Sequence, residues 1–424
     1  MLKYNANHSG YKKTNIGLIP EHWDFVIVSS LCSYISKGTT PNKSEMYNPS
    51  DIPFLRVNNL TFDGILDFHD LKYINRDTHI GFLGRSQVYP EDILINIVGP
   101  PLGKVCFVPH TFDEYNINQA IAFFRPNKNV ISRYLFYWLS HEKTFNWFIS
   151  GSKQTSGQVN LTLELCRNTP IPLPPLTEQK KIADILSTWD NAIEKTEKLI
   201  DAKTKLKKGL MHRFLTGQKR FKEFTGKDKW SYVFIKDIIK EVNRPIDWDE
   251  NTLYNLISVR RRSGGLFFRE SLYGRQIKTK NLKIVRTGDF LISKMQVVHG
   301  AMGLTTEQFD NMYISDSYIS LVPCDENKLN MEFFNWFSKM KHMYYIALVS
   351  STGVHIEKMT FDLEDFLHHK IFIPENIKEQ QRIASVLSTI DKEILTLNKK
   401  LNALKQQKKG LMQKLLTGEV RVKV

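Results

Sequence analysis

Cysteine is scarce in this chain. There are four in 424 residues, Cys32, Cys106, Cys166 and Cys324, and no two form a CxxC pair. That spacing excludes a zinc ribbon and a disulfide framework and fits a reducing cytoplasm. Long apolar runs are also missing: nothing approaches the ~18 residues of a membrane span. The N-terminal stretch MLKYNANHSGYKK lacks the apolar core of a signal peptide. The expected location is therefore the cytoplasm, with no membrane partner. Catalytic signatures are missing as well. GPPLGK (99–104) has three residues between its glycines and Val105 after its lysine, where a phosphate-binding loop needs four residues and then Ser or Thr. It reads as a turn at a strand end. No GxGxxG opens a helix, no Asn/Asp-Pro-Pro-aromatic tetrapeptide occurs, and the histidines show no HExxH. The chain reads as non-catalytic, with no catalytic, cofactor or metal residues of its own.

What the chain has in excess is positive charge. Lys and Arg number 59 against 44 Asp and Glu, a net +15. A polyanionic partner is expected, nucleic acid first. The other conspicuous feature is an internal repeat. Residues 178–217 and 379–418 align without a gap at an offset of 201, and 19 of the 40 positions are identical. Both copies carry a heptad stripe. In the second it runs through Ile383, Leu387, Ile390, Ile394, Leu397, Leu401 and Leu404 and is interrupted at Lys408. In the first it runs through Ile182, Leu186, Trp189, Ile193 and Leu210 and is interrupted at Thr196 and Lys203. A sustained 4-3 spacing is the pattern of a coiled-coil seam. The expectation is that the two helices pack on each other, and the repeat implies two equivalent halves about a pseudo-twofold axis. Prolines precede each copy and Gly217 and Gly418 end them.

The organisation expected is domain 1–177, helix 178–220, domain 221–378 and helix 379–424. Short alternating runs with a few helical stretches make each domain α/β or α+β. Echoes of the repeat occur inside the domains: YPEDILINIVG (89–99) with RTGDFLISKMQ (286–296), and Trp138 with Trp336. The two helical segments hold net charges of +5 and +6. A local basic concentration lies at 260–294, with ten basic residues against Glu270 and Asp289. Glycines 264 and 265 put part of it on a loop, where arginine can fork onto guanine in the major groove. The DNA-contact candidates here are Arg260, Arg261, Arg262, Arg269 and Lys294. In the first domain they are Lys37, Thr39, Thr40, Arg56, Asn58 and Asn59, polar residues suited to phosphates and base edges. The loops near the domain ends add Gln154, Thr155 and Ser156, and Ser351, Thr352 and His355.

Two domains alternating with two repeat helices, each helix led by Glu-Gln-x-x-Ile-Ala, passing through Leu-Ser-Thr-x-Asp and ending in Lys-Lys-Gly-Leu-Met and Leu-Thr-Gly, resemble the specificity subunit of type I restriction–modification systems. IPEHW (19–23), KGTTP (37–41), EDILI (91–95), RRRSGGL (260–266) and GDFLISK (288–294) resemble it too. The resemblance implies that each domain is a target recognition domain reading one half of a bipartite site in double-stranded DNA. It implies that the helices form an antiparallel coiled coil that spaces the half-sites and docks two modification subunits, with restriction subunits completing the complex. S-adenosylmethionine, ATP and Mg2+ would then belong to those partners. The competing reading is a non-catalytic protein interaction scaffold.

Overall fold

The computed structural model describes residues 10–41, 51–155, 158–356 and 359–423. The chain divides into two units, one of Met1–Thr196 with Lys400–Val424, the other of Glu197–Lys399. The first unit is thus a domain completed by a segment distant in sequence, and the second is one continuous stretch.

In the first unit an antiparallel sheet has the order Val105–Phe107, Ile93–Asn96, Ile121–Pro126, Cys32–Lys37. A second, mixed sheet has the order Lys72–Ile74, Ile52–Leu55, Tyr115–Ile117, Gln87–Val88. The second unit repeats both. Its antiparallel sheet runs Met302–Leu304, Phe290–Ser293, Tyr318–Pro323, Ile239–Val242. Its mixed sheet runs Leu266–Tyr273, Leu253–Val259, Tyr313–Ser315, Leu282–Ile284, again with one parallel pairing inside. The central strands Ile93–Asn96 and Phe290–Ser293 are buried along their whole length, which is why they read as unbroken apolar runs.

The EDILI and GDFLISK stretches are equivalent turns into those central strands. Asp92 is buried and accepts from the Tyr89 amide at 2.9 Å and from Arg125 at 2.8 Å. Asp289 does the same with the Arg286 amide at 2.8 Å and Arg244 at 2.6 Å. Burial pushes the Asp92 carboxyl up, against the arginine and amide bonds that favour its charged form. At the left-handed corner of this turn the second unit has Gly288 at φ 90°, and the first has Glu91 at φ 71°.

Both repeats form 40-residue helices, Leu176–Leu215 and Ile377–Leu416. They end at Gly217 (φ 72°) and Gly418 (φ 74°), where only glycine avoids a Cβ penalty; a Cβ on Gly418 would also lie 2.3 Å from Pro20. The Glu-Gln pair at each start has a definite task. The buried Glu178 carboxylate accepts from Arg421 at 2.7 and 3.0 Å and from the Trp23 indole at 3.1 Å. Its repeat mate Glu379 accepts from Arg220 at 2.9 and 2.6 Å. Gln179 accepts from the amide of Ile131 and Gln380 from that of Asn330, both at 2.9 Å. Ile131 and Asn330 are the N-cap residues of the short helices Ser132–Leu139 and Met331–Phe337. Counting from those caps, Tyr137 corresponds to Trp336, and both bond the repeat serines, Ser187 at 3.1 Å and Ser388 at 2.9 Å. The match of Trp138 with Trp336 is therefore one residue out of register; Trp138 is the counterpart of Phe337.

In each unit the start of one long helix lies antiparallel to the end of the other. The ion pairs obey the repeat: Asp190–Lys408 at 2.5 Å in the first unit, Asp391–Lys207 at 2.6 Å in the second. Lys203 bonds Glu393 at 2.7 Å, so the lysines that interrupt the stripe are paired, not stranded in an apolar seam. The seam itself needs correction. Ile182 and Leu186 belong to the main core of the first unit, together with Leu415 and Leu416, and Ile383 and Leu387 to that of the second, with Phe214 and Leu215. The domains cover these turns because their strands and short helices pack directly against them. Ile390 is buried, whereas Trp189, Ile193, Leu210, Ile394, Leu397, Leu401 and Leu404 are half-buried, the grade of burial a two-helix contact alone can give.

Two outcomes follow. Glu91→Gly is expected to stabilise the first unit by about 1 kcal/mol, because it removes a side chain from a left-handed corner that the second unit fills with glycine. The urea midpoint followed by a first-unit probe measures it, and a lowered midpoint contradicts it. The second outcome concerns half-chains. In a dimer of the first half, a second copy's helix end has to stand in for Lys400–Val424, and its Arg220 for Arg421. A half-chain cut after Phe224 is expected to dimerise, and one cut after Gly217, lacking Arg220, to do so more weakly by roughly 3 kcal/mol per unpaired carboxylate. Light scattering over a concentration series decides; equal dimer strength contradicts the assignment.

Candidate nucleic-acid interface

In the second unit the strands Leu253–Val259 and Leu266–Tyr273 are joined by a six-residue turn, RRRSGG. Arg262 (φ 58°) and Ser263 (φ 52°) are consecutive non-glycine residues in the left-handed region. Such backbone costs energy and persists only where neighbours hold it. Here the Arg262 amide donates to the His299 carbonyl at 2.6 Å, and the Ser263 amide to that of Gly300 at 2.9 Å. The Ser263 hydroxyl and the Tyr344 hydroxyl share a hydrogen bond of 2.8 Å. Arg260, Arg261 and Arg262 are exposed at this turn. The Arg260 guanidinium lies 4.5 Å from the Phe267 ring centre and donates to the Leu266 carbonyl, so part of its capacity is used locally.

The charge of the surrounding segment is smaller than its sequence implies. Acids from outside the 260–294 window, Glu250, Asp316 and Asp310, pair with Lys280, Lys283 and Arg286. Lys283 holds the Asp316 carboxyl below the usual carboxylate range. Arg269 is exposed and pairs with Glu270 at 3.0 Å. Lys294 is half-buried, and its carbonyl accepts from the Phe361 amide at 3.3 Å. That bond brings the Ser351–Thr352 strand, paired with Thr360–Phe361, to the same region. Thr352 and His355 are exposed there. Ser351 is not available: it is buried, and its hydroxyl donates to the Ala347 carbonyl at 2.7 Å.

In the first unit the strand equivalent to Leu253–Val259 is Ile52–Leu55, and Arg56 follows it as Arg260 follows Val259. The connection here is longer and folds on itself. Arg56 donates to the Asp70 carboxylate at 2.8 Å and to its carbonyl at 2.9 Å. Asn59 is buried, accepting from the Arg56 amide at 2.9 Å and donating to the Asp67 carbonyl at 2.9 Å. Asn59 therefore closes a turn and is withdrawn as a base-edge contact. Asn58 is exposed, and so are Phe62 and Ile65 further along the connection. Lys37 and Thr40 are exposed, and Thr39 accepts from Arg85 at 2.9 Å, a partner that nothing in the KGTTP motif announces. Gln154 and Thr155 lie on the strand Lys153–Thr155, paired with Gln158–Asn160; Ser156 lies outside the described residues.

GPPLGK forms a closed turn. Asn96 donates to the Pro101 carbonyl and accepts from the Lys104 amide, while the Lys104 ammonium donates to the Val57 carbonyl. Among the described residues no cluster of His, Cys, Asp or Glu is arranged to hold a metal ion, and no helix is long and apolar enough to cross a membrane.

The duplicated fold has counterparts elsewhere. A family described as type I restriction modification DNA specificity domain matches residues 20–202 and again 227–406. A putative type I restriction enzyme MjaX specificity subunit of Methanocaldococcus jannaschii is 28% identical over 430 residues, covering 97% of each chain. The MjaVIII specificity subunit of the same organism is 25% identical, also over 97% of each. The crystal structure of a type I restriction–modification S subunit from M. genitalium superposes with a TM-score of 0.58 over 98% of both chains at 14% identity, a likeness of fold. With two matched segments that span most of its length and coincide with its two structural repeats, the chain belongs to the type I restriction–modification DNA specificity family.

Proposed function

We propose that this chain is the specificity subunit of a type I restriction–modification complex and reads a bipartite, asymmetric site in double-stranded DNA. The observation that carries this reading is the contrast between like frames and unlike loops. Both units have the same two sheets and the same helix anchors, but at equivalent strand ends one presents an arginine turn and the other a folded connection with Asn58, Phe62 and Ile65. Two such readers recognise two different half-sites. Phosphate contacts from the basic surface position the duplex, and side chains at the loops discriminate bases.

The chain itself catalyses nothing in this account. Two modification subunits dock on the paired helices and carry S-adenosylmethionine for adenine methylation. Restriction subunits carry ATP and Mg2+ for translocation and cleavage. The place of action is the cytoplasm, where the DNA is. The helices act as the spacer: at 1.5 Å per residue, helix length and the gap between half-sites change together.

Neutralising two exposed arginines, Arg261→Ala with Arg262→Ala, is expected to flatten the dependence of log binding on log salt by up to about two units in the complex with modification subunits. Equilibrium titrations across a salt series test it. An unchanged slope and affinity remove this turn from the interface. Inserting four residues in the exposed middle of each long helix adds roughly 6 Å of rise, under two base pairs at ~3.4 Å each. The methylated motif is expected to keep its bases and change its gap, or to vanish where the added rotation misaligns a domain. Altered bases with an unchanged gap contradict the spacer role.

A further inference from the structure

We propose that the Arg260–Gly265 turn reads guanine in the second domain's half-site, and that Tyr344 is the positioning residue that aims it. This rests on the DNA-reading function above and names the base and the device. Two consecutive left-handed non-glycine residues, Arg262 and Ser263, are an unfavourable way to build a hairpin turn. Three groups hold them there: the carbonyls of His299 and Gly300, and the hydroxyl of Tyr344. The third of these depends on a missing side chain. A Cβ on Gly300 would lie 2.2 Å from the Tyr344 hydroxyl oxygen, so glycine at 300 is what lets the phenol reach Ser263.

These bonds all fall on the backbone and on Ser263, leaving the arginine side chains exposed at the turn. Arg260 braces the base of the turn against Phe267 and the Leu266 carbonyl. Arg262, inside the strained pair, is then the group whose direction the clamp sets. A guanidinium fork held in a fixed direction matches the O6 and N7 acceptors of guanine in the major groove, which is the commonest specific pairing of an arginine with a base edge. The first unit has no such device at the equivalent place: Arg56 is tied to Asp70, and its neighbours Val57 and Asn58 are not basic. The guanine reader therefore serves one half-site only.

The test uses the full chain with its modification subunits, the methylated motif of the wild type, and duplexes in which each G·C pair of that motif is replaced in turn. Arg262→Ala is expected to lose roughly 5- to 150-fold discrimination at one G·C pair of one half-site, with the other half-site unchanged. Tyr344→Phe and Ser263→Ala remove the same hydrogen bond from its two ends. Each is expected to relax that same pair by about 2- to 10-fold while leaving the salt slope unaltered. If Arg262→Ala relaxes the pair and both clamp variants retain wild-type discrimination, the positioning role of Tyr344 is overturned. If all three retain it, the guanine assignment falls, while methylation at a bipartite site leaves the subunit's general function standing. Equal weakening at both half-sites by the clamp variants shows a merely structural bond and also overturns the proposal.

Discussion

A carboxylate buried in protein must be paired, because leaving it alone costs several kcal/mol. Glu178 and Glu379 impose this on the fold. Each stands at the start of a long helix, and each finds its arginine just beyond the end of the other helix, Arg421 for Glu178 and Arg220 for Glu379. The first unit takes its closing segment from the C-terminus; the second, one continuous stretch, opens with the end of the first helix and the linker that holds Arg220. The left-handed glycines, the tryptophan packing beside them and the glutamine bonds to the short-helix caps follow from bringing those ends together.

The repeat helices were legible because a long, gapless identity and a heptad period survive in single residues. Their boundaries hid the main fastener. Arg220 and Arg421 lie three residues past the terminal glycines, in a shared G-x-x-R just beyond the aligned positions 178–217 and 379–418. The stripe misled in a different way. A heptad pattern reports which face is covered, not by what, and for Ile182, Leu186, Ile383 and Leu387 the cover is largely a domain core. Charge was the least legible property. The basic window at 260–294 loses much of its excess to Glu250, Asp310 and Asp316, acids that sequence distance conceals and strand pairing delivers. Asn59 looked like a base reader because turn-closing and base-reading asparagines are chemically the same residue; burial alone separates them.

Division of labour between frame and loop explains why the domains can differ while the halves remain alike. The aspartates of EDILI and GDFLISK, recurring in both domains, turn out to close equivalent turns and bind arginines inside the fold. They keep the central strand of each sheet in register and touch nothing outside. The loops at the equivalent strand ends have no such duty and have diverged: one is short, strained and basic, the other long, self-bonded and partly apolar. A subunit built this way changes its target at the loops without disturbing the anchors.

Two unlike readers on one chain define one asymmetric, interrupted target. Methylome sequencing of the host with this gene present and deleted tests it directly. One motif of two different specified halves around an unread gap, methylated on adenine, is expected to disappear on deletion and return on complementation. Loss of no motif on deletion, or loss of a continuous palindrome instead, would contradict it.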